Sequence, residues 1–240
     1  MSATARIPND ETNLAEFIRD HGPHCLIVAR HGETEWNAKG RLQGQQDTPL
    51  NTRGHSQAQA VAQILRNIPL SQIHSSTLRR CQETARPIAE ANIGRPTVVS
   101  SDLLKETALG VLEGELIGQQ STAELTRHYQ DFSRDEIRYR VPNGENLHDV
   151  AARVKRFFLD RDELLKVPGV HLIMGHRNVN KMILKSLLRL SFEEGFRVEQ
   201  ENQRFYLYFD ASKELWSCWM DGNAGRLTRG YVTTIDSSYG

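Results

Sequence analysis

The sequence predicts an α/β fold, a three-layer sandwich with a mostly parallel central sheet and helices on both faces. Two continuous apolar runs have the length of single strands, Cys25-Leu-Ile-Val-Ala29 and Val170-His-Leu-Ile-Met174. Such runs are typical of parallel strands that are buried on both faces. Segments with apolar residues at helical spacing lie between the strand-like runs. Strands that alternate with helices indicate a sheet covered by helices on both sides.

The first half of the chain alternates in this way after a loose N-terminal arm. A short helix is expected over 14–18, capped by Asp10 or Thr12 and ended by Gly22-Pro23. After the first strand and a polar loop over 32–50, we predict a helix over 58–65, a weak strand over 72–74, a helix over 78–91 despite Pro87, and a strand over 97–99. Residues 107–141 are polar and irregular, with one helix near 120–131.

The second half has clearer periodicity. One helical stripe extends from Leu147 to Leu165 and ends before Pro168-Gly169. The strand over 170–174 follows, and then a helix over 179–190. Two late strands, over 204–209 and 214–219, form a hairpin around Asp210-Ala-Ser-Lys213 in this interpretation.

Composition excludes several classes of protein. The 240 residues suffice for one domain, which we assign to 1–240 with an N-terminal extension over 1–22. Lys and Arg total 30 and Asp and Glu total 30, a balance that argues against nucleic-acid and membrane-surface partners. No apolar run approaches the roughly 20 residues that span a bilayer. The three cysteines form no CxxC pair, as expected of a cytoplasmic protein without disulfides.

Two of the predicted strands end in a histidine beside an arginine. The first leads into Arg30-His31-Gly32 and the other into Gly175-His176-Arg177-Asn178, where a helix begins. Because the carboxyl ends of parallel strands share one edge of a sheet, the two histidines are expected in one pocket. The arginines and the helix start near Asn178 favour an anionic ligand. The pattern by itself leaves open that both histidines are unrelated surface or packing residues.

A metal site is the rival use of these histidines. His31 and Glu35 have a spacing that suits two ligands on one helical face. Gly32 and Asn37 indicate a loop instead, and the sequence contains no HExxH motif. We therefore expect no metal ligands and no cofactor.

An ordered set of motifs covers about residues 25–190. The set comprises Leu26 to Asn37 (LIVARHGETEWN), Arg41-Leu42-Gln43-Gly44, Asp47 to Asn51, Gly54 to Ala58, Ser75 to Ala85 (SSTLRRCQETA), Glu106 to Gly114, Pro142 to Glu145, and Gly175-His176. In content and order it resembles the histidine phosphatase superfamily, in its phosphoglycerate-mutase-like branch.

The resemblance implies a role for each matching residue. His31 is expected to be the nucleophile that forms a phosphohistidine, with Arg30 and Arg80 as clamps on the phosphoryl oxygens. His176 matches the second histidine of the phosphate pocket, and Glu106 the general acid and base. Asn37 and Gln43 match loop positions that contact phosphate or substrate. Arg80 is preferred to Arg79 because the family arginine stands two residues after the leucine that Leu78 matches.

Several residues keep two interpretations. Arg177 adds a cation near the pocket or faces outward, and Asn178 contacts phosphate or caps its helix. Glu145 reaches the pocket or caps the helix at 147. Cys81 is interpreted as helix packing and Arg79 as a surface ion pair. The arginines between 127 and 140 are interpreted as a solvated mixed-charge face.

The expected reaction is metal-independent hydrolysis of a small phosphate monoester. The segment between Glu106 and His176 is shorter than the one that covers the site in glycolytic mutases, which favours attack by water. A phosphomutase and a non-catalytic scaffold are the alternatives. The chain departs from the family pattern at Ala108, Leu109 and Leu112, which replace aromatic residues, and at Arg177 and Lys181. The partner is expected to be a small phosphorylated metabolite, and a substrate-side insertion over 107–141 is expected to determine which metabolite binds. The sequence leaves open whether the protein forms a homodimer.

Overall fold

The computed structural model describes residues 12–22, 24–161, 164, 168–221 and 224–233. In this part of the chain the strands form one seven-stranded sheet with the order β3-β2-β4-β1-β5-β6-β7. The strands are β1 (His24–Arg30), β2 (Leu70–Ser76), β3 (Thr97–Ser101), β4 (Gly169–Gly175), β5 (Arg204–Phe209), β6 (Glu214–Asp221) and β7 (Ala224–Arg229). The first four are parallel to one another, and the last three continue the sheet in antiparallel pairs.

Helices connect the strands and cover the sheet. They are α1 (Thr12–His21), α2 (Glu35–Ala38), α3 (Thr52–Leu65), α4 (Arg79–Ala91), α5 (Ala123–Arg134), α6 (Leu147–Leu159), α7 (Arg177–Leu188) and α8 (Phe192–Arg197). Short 3₁₀ turns occupy Asp102–Leu104 and Gly110–Leu112.

Two apolar cores lie on opposite faces of the sheet because neighbouring side chains of a strand point to opposite sides. In β1, Ile27 packs with α1, α3 and α4 on one face. Its neighbours Leu26 and Val28 pack with α6 and α7 on the other. The predicted three-layer α/β fold, with a sheet that is parallel in its central part, is confirmed.

The strand order places the loops after β1, β2 and β4, which carry predicted site residues, at one edge of the sheet. β4 lies between β1 and β2, and Arg30 at the end of β1 pairs with Gly175 at the end of β4. β2 runs parallel to β4, so α4 begins at the same edge. All of these ends are carboxyl ends, the position where doubly wound sheets bind ligands.

Four elements differ from the sequence-based expectation. The first is α2, a single turn that includes Asn37 and lies inside the predicted polar loop over 32–50, where the Thr34 side chain caps it. α6 ends at Leu159, six residues before the predicted end, and part of the remainder lies outside the described residues. Leu164 is nevertheless buried in the same core as α6. The apolar stripe therefore predicts correctly that Leu164 is buried, although α6 ends before it. β7 and α8 were not predicted, since β7 has few apolar residues and forms as an edge strand by pairing with β6.

Other predictions agree with the described residues. α4 accommodates Pro87, and the two late strands form an antiparallel hairpin. The predicted cap of α1 does not agree, because Thr12 is the first residue inside the helix; Asp10 and Pro23 lie outside the described residues. Among the helices that the structure describes, none has the length and apolar character needed to cross a membrane.

Candidate active site

A cleft opens at the carboxyl edge of the parallel strands. All but one of the nine sequence-predicted site residues line it, namely Arg30, His31, Asn37, Gln43, Arg80, Glu106, Arg177 and Asn178. The exception is His176, which is completely buried beneath the cleft. The fold therefore brings together residues that are far apart along the chain.

His31 follows β1 directly, and its position is fixed by the backbone. Its N–H donates to the carbonyl of Gly175 at 3.1 Å, which continues the β1–β4 pairing by one residue. Gly32 then passes so close to α3 that a Cβ atom on it would lie 2.5 Å from the carbonyl oxygen of Gly54. Only glycine permits this close approach, which explains why a glycine follows the histidine.

One ring nitrogen of His31 is committed to the backbone. Nδ1 lies 2.7 Å from the carbonyl oxygen of Gly32, a contact in which the nitrogen must donate. In the neutral ring the lone pair then belongs to Nε2. His31 thus presents a nucleophilic nitrogen in a fixed orientation.

Arg80 lies between the two histidines. Its Nε–H is 3.3 Å from Nε2 of His31 and 3.2 Å from Nδ1 of His176. The other guanidinium nitrogens donate to the carbonyls of Gln46 at 2.7 Å and Gly44 at 2.9 Å. The arrangement places a held positive charge beside both imidazoles.

The neighbouring arginine has a different role. Arg79 is largely exposed and pairs with Glu83, with Nε 2.7 Å from the carboxylate. Arg80, by contrast, is 1% exposed and lies in the site. The structure thus places Arg80 in the cleft and Arg79 in a surface ion pair, as the sequence indicated.

Both histidines are held neutral. Burial, followed by the charges of Arg80 and Arg30, lowers the pKa of His31 well below its usual range. Burial and the charge of Arg80 likewise lower the pKa of His176. Desolvation and nearby cations both disfavour imidazolium, so the lone pair on Nε2 of His31 is available near neutral pH.

Two amide side chains add donors on the loop side of the cleft. The Oδ1 atom of Asn37 accepts the N–H of Thr34, and the Oε1 atom of Gln43 accepts the hydroxyl of Thr48 at 2.6 Å. Among the described residues, neither NH₂ group has a hydrogen-bond acceptor in the protein. These groups are the parts of Asn37 and Gln43 that could contact an anion.

Glu106 reaches the cleft from β3 through the 3₁₀ turn at Asp102–Leu104. Its carboxylate accepts the N–H of Thr107 at 2.9 Å and the N–H of Asn178, in the first turn of α7, at 3.1 Å. These contacts attach Glu106 to the helix whose N-cap residue is His176. The backbone of Asn178 therefore positions Glu106, while its side chain lines the cleft.

An ion pair behind the cleft holds the segment that carries Glu106. Arg153 donates from Nη1 to the carbonyl of Leu103 at 2.8 Å and from Nη2 to the carbonyl of Glu106 at 3.0 Å. Its Nε also bonds Glu145, and the same carboxylate accepts the N–H of Ala108 at 3.0 Å. Glu145 thus positions the segment and does not cap α6, whose N-cap is Asn146. Sequence reasoning missed Arg153, which lies off the apolar stripe of α6 and carries no motif.

The cleft lining contains a second carboxylate, that of Glu136, together with Arg177. Burial raises the pKa of Glu136, partly offset by the nearby Arg177 and Lys181. Burial lowers the pKa of Lys181 to about 7, and its Nζ lies 4.1 Å from the ring centre of Phe196. Glu136 lies within the mixed-charge stretch between 127 and 140, for which the sequence predicts a solvated face, yet its carboxylate lines the cleft. Arg134, Arg138 and Arg140 do belong to such a face, because each forms an exposed ion pair.

The cleft is suited to an anion with several oxygen atoms. It combines the cations of Arg30 and Arg80, two neutral histidines and the amide donors of the loop. Within the described parts of the chain, no group of three or more His, Cys, Asp or Glu side chains has an arrangement that could hold a metal ion.

Comparison with known families and proteins gives consistent matches. The family described as "Histidine phosphatase superfamily (branch 1)" matches residues 26–217. A Yersinia pestis protein named "Probable phosphoglycerate mutase GpmB" is 34% identical over 203 residues, which are 83% of this chain and 92% of the relative. A protein of the same name from Enterobacter is 35% identical over 147 residues, which are 60% of this chain and 64% of that relative.

Solved structures of the same fold are also similar. A mycobacterial glucosyl-3-phosphoglycerate phosphatase matches with a TM-score of 0.65 and 25% identity over 88% of this chain and 98% of the other. The phosphoserine phosphatase of Entamoeba histolytica, in complex with 3-phosphoglyceric acid, matches with a TM-score of 0.63 and 24% identity, with the same coverage of both chains. At this identity, the second match shows the fold alone.

Proposed function

The chain belongs to the histidine phosphatase superfamily, branch 1, and from this premise we propose that it hydrolyses a small phosphate monoester through a phosphohistidine intermediate, without a metal ion. The observation that carries the proposal is the environment of His31. Its Nδ1 is committed to the Gly32 carbonyl, and its Nε2 faces Arg80 at the base of the cleft.

In the first proposed step, the lone pair on Nε2 of His31 attacks phosphorus. The N–P bond forms as the bond from phosphorus to the ester oxygen breaks, and Glu106 gives its proton to the departing oxygen. Negative charge on the phosphoryl oxygens is stabilised by Arg30 and Arg80. The NH₂ groups of Asn37 and Gln43 are further donors to these oxygens.

In the second step, water attacks the phosphohistidine. Glu106, now a carboxylate, takes a proton from the water as the new P–O bond forms and the N–P bond breaks. The products are inorganic phosphate and a neutral His31 with its lone pair restored. In this scheme the two arginines supply the charge stabilisation that a metal ion gives in other phosphatases.

The choice of water as acceptor rests on the segment between Glu106 and His176. A phosphomutase must keep water from its phosphoenzyme until a second hydroxyl receives the phosphoryl group. The short segment here favours access by water. The name of the Yersinia relative keeps mutase activity as the second candidate, and the presence of His31, Arg80, Glu106 and His176 together argues against a non-catalytic scaffold.

The substrate we propose is a small phosphorylated metabolite in the cytoplasm. The cleft volume of about 150 Å³ suits a small ester better than a phosphorylated protein or nucleic acid. The cleft lining also includes Leu109, Ile117, Tyr129 and Phe132, apolar and aromatic side chains that would contact the leaving group in this proposal.

The test is turnover of p-nitrophenyl phosphate between about pH 5 and pH 8, the range in which histidine and phosphate esters titrate. The phosphoenzyme is trapped by rapid denaturation and located by peptide mass spectrometry. We expect hydrolysis in the presence of EDTA and one phosphoryl group on His31. His31→Ala should abolish both signals, whereas His55→Ala, at an exposed histidine of α3, should retain them.

Three results would reject the proposal. They are a phosphoryl group that persists in His31→Ala, activity that EDTA removes and a divalent metal restores, and absence of hydrolysis of p-nitrophenyl phosphate and of a panel of small phosphate monoesters over this pH range. Conversion of 3-phosphoglycerate to its 2-phospho isomer faster than release of phosphate would identify the mutase instead.

A further inference from the structure

The Gly32–Glu33 peptide group lies between the proposed nucleophile and a side chain of α3. Its carbonyl oxygen accepts Nδ1–H of His31 at 2.7 Å. Its N–H group donates to Oε1 of Gln57 at 2.8 Å. Because an amide N–H can only donate, the atom of Gln57 that it meets is the carbonyl oxygen. One planar group thus connects Gln57 to His31, since the C=O and N–H of a trans peptide bond point in opposite directions.

The glycine at this position gives the peptide group a second possible orientation. Gly32 is required by its close approach to Gly54, and glycine adopts backbone angles that other residues avoid. If the group turned over, the N–H of Glu33 would point at Nδ1 of His31. In the neutral ring Nδ1 would then hold the lone pair, and the proton would be on Nε2. The ring would present an N–H to the phosphoryl site in place of a lone pair.

We propose that Gln57 is a positioning residue that fixes the tautomer of His31 by holding the Gly32–Glu33 peptide group in one orientation. The inference rests on the proposed function for the role of His31 as nucleophile. Turning the group over would leave Oε1 of Gln57 facing a carbonyl oxygen, which is a second acceptor. Gln57 thus opposes the orientation that takes the lone pair away from Nε2. Its hydrogen bond also polarises the peptide group, which makes the Gly32 carbonyl a better acceptor for Nδ1–H.

Neighbouring contacts hold the backbone on both sides of this peptide group. Before it, the N–H of Gly32 donates to Oγ1 of Thr84 in α4 at 3.0 Å. After it, the carbonyl of Glu33 accepts the N–H of Asn51, the N-cap residue of α3, at 2.9 Å. The loop is therefore attached to the helix that carries Gln57. Between these fixed points, the contact with Gln57 selects the orientation of the group.

Two substitutions separate the hydrogen bond from the volume of the side chain. Gln57→Glu keeps an oxygen that can accept from the N–H of Glu33. Gln57→Met has a similar length, but its thioether accepts only weakly. The matched control is Gln59→Met, at an exposed position two residues further along α3. Both methionine variants place the same side chain on the same helix, and only the one at position 57 removes an acceptor from the loop of His31.

The first experiment measures kcat and KM for p-nitrophenyl phosphate in the full-length protein. We expect Gln57→Met to lower kcat/KM about tenfold, the effect of one hydrogen bond left unmade, with most of the loss in kcat. Gln57→Glu should retain most of the activity, and Gln59→Met should match the unaltered protein. Equal kcat/KM values in Gln57→Met and Gln59→Met, or equal losses in Gln57→Met and Gln57→Glu, would overturn the inference.

The second experiment reads the tautomer directly. Nitrogen-15 NMR of the histidine side chains, with His31 assigned by loss of its signals in His31→Ala, reports which ring nitrogen carries the proton. We expect the proton on Nδ1 in the unaltered protein and in Gln57→Glu, and a detectable fraction on Nε2 in Gln57→Met. A loss of stability alone would not move the proton. The same tautomer fractions in Gln57→Met as in the unaltered protein would overturn the inference.

A third measurement needs only the unaltered protein, so it holds even if Gln57→Met fails to fold. The scalar coupling between the amide nitrogen of Glu33 and the side-chain carbonyl carbon of Gln57 reports the hydrogen bond itself. Absence of this coupling, or a proton on Nε2 of His31, would reject the inference. If the unaltered protein hydrolyses no ester but the proton leaves Nδ1 only in Gln57→Met, the proposed function fails while the positioning of His31 by Gln57 stands.

Discussion

The Nε–H group of Arg80 lies 3.3 Å from Nε2 of His31, the nitrogen that holds the lone pair. The cation thus contacts the proposed nucleophile before any phosphate arrives, and it is anchored by two backbone carbonyls. The same charge contributes to the lowered pKa of His31, and in the proposed reaction it also stabilises the phosphoryl oxygens.

Replacing Arg80 tests this dual role. We expect Arg80→Lys to lower kcat/KM for p-nitrophenyl phosphate by at least about 10²-fold. Lysine lacks the planar guanidinium group, which can bind two phosphoryl oxygens while it donates to two backbone carbonyls. The matched control is Arg79→Lys, the adjacent arginine of the exposed Glu83 pair, which should change kcat/KM little. Similar losses in the two variants would show that Arg80 has no special role.

Arg30 should control the acidic limit of activity. Its charge is one cause of the lowered pKa of His31, so Arg30→Gln moves this pKa upward toward the usual value. At a given acidic pH, more His31 is then protonated and unable to attack. The acidic limb of the profile of kcat/KM against pH should therefore shift to higher pH in Arg30→Gln, and stay in place in the exposed variant Arg66→Gln. A shift to lower pH would contradict the cause assigned here.

The Glu145–Arg153 pair should support activity through the position of Glu106. Arg153→Lys loses the fork that bonds Glu145 and the carbonyls of Leu103 and Glu106. We expect kcat to fall more than KM changes, and the free energy of unfolding to fall by about 1–3 kcal/mol. Urea unfolding and steady-state kinetics measure the two effects. A loss of stability with unchanged kcat would restrict the pair to a purely structural role.

Glu136 should influence the choice of substrate. Its carboxylate lines the cleft, and within the described part of the chain no side chain or backbone group donates a hydrogen bond to it. A leaving group with hydroxyls could supply such donors. We expect Glu136→Gln to lower the ratio of kcat/KM for a sugar phosphate to that for p-nitrophenyl phosphate. Glu124→Gln, at an exposed acid of α5, is the control, and an unchanged ratio would exclude a contact with the leaving group.

His74 should make stability depend on pH. Burial, with the charges of Arg161 and His171, lowers the pKa of His74 to about 4, from an ordinary value near 6.5. The unfolded chain therefore binds a proton at a higher pH than the folded chain. This contribution to stability is full above about pH 6.5 and is lost between about pH 6.5 and pH 4, by up to about 3 kcal/mol.

Urea unfolding at a series of pH values measures this dependence. His74→Phe fills the space beside Phe157 with an apolar ring and should flatten the curve by the contribution of one proton. The exposed variant His55→Ala should leave the slope in the acidic range nearly unchanged. An equal flattening in both variants would assign the effect to residues other than His74.

Much of the fold and of the cleft could be predicted because the apolar strand patterns lie directly before the polar motifs in the sequence. The buried strand before His31 and the one before His176 are continuous apolar runs, and each ends where the polar motif begins. Motif order was sufficient to choose Arg80 over Arg79, and the structure places Arg80 in the cleft. Periodicity overestimated α6, since Leu164 is buried in the same core without belonging to that helix.

Other features have no local signal. Distant parts of the chain meet in the hydrogen bond of Arg153 to the carbonyl of Glu106 and in the contact of Cys81 with His176. The position of Glu136 in the cleft lining likewise depends on the packing of distant segments. β7 depends in the same way on an edge that β6 offers. Such contacts are set by strand order and packing, which the pattern around one residue does not encode.

The sequence by itself determined the α/β class, the parallel strands and the identity of eight residues that line the cleft, because strand burial and motif spacing are local properties. Only the tertiary structure decided which nitrogen of His31 holds the lone pair. That choice depends on a 2.7 Å contact with the Gly32 carbonyl and on an arginine brought from α4. Orientation and protonation arise from the three-dimensional surroundings of a side chain, and the order of strands β2, β4 and β1 creates those surroundings here.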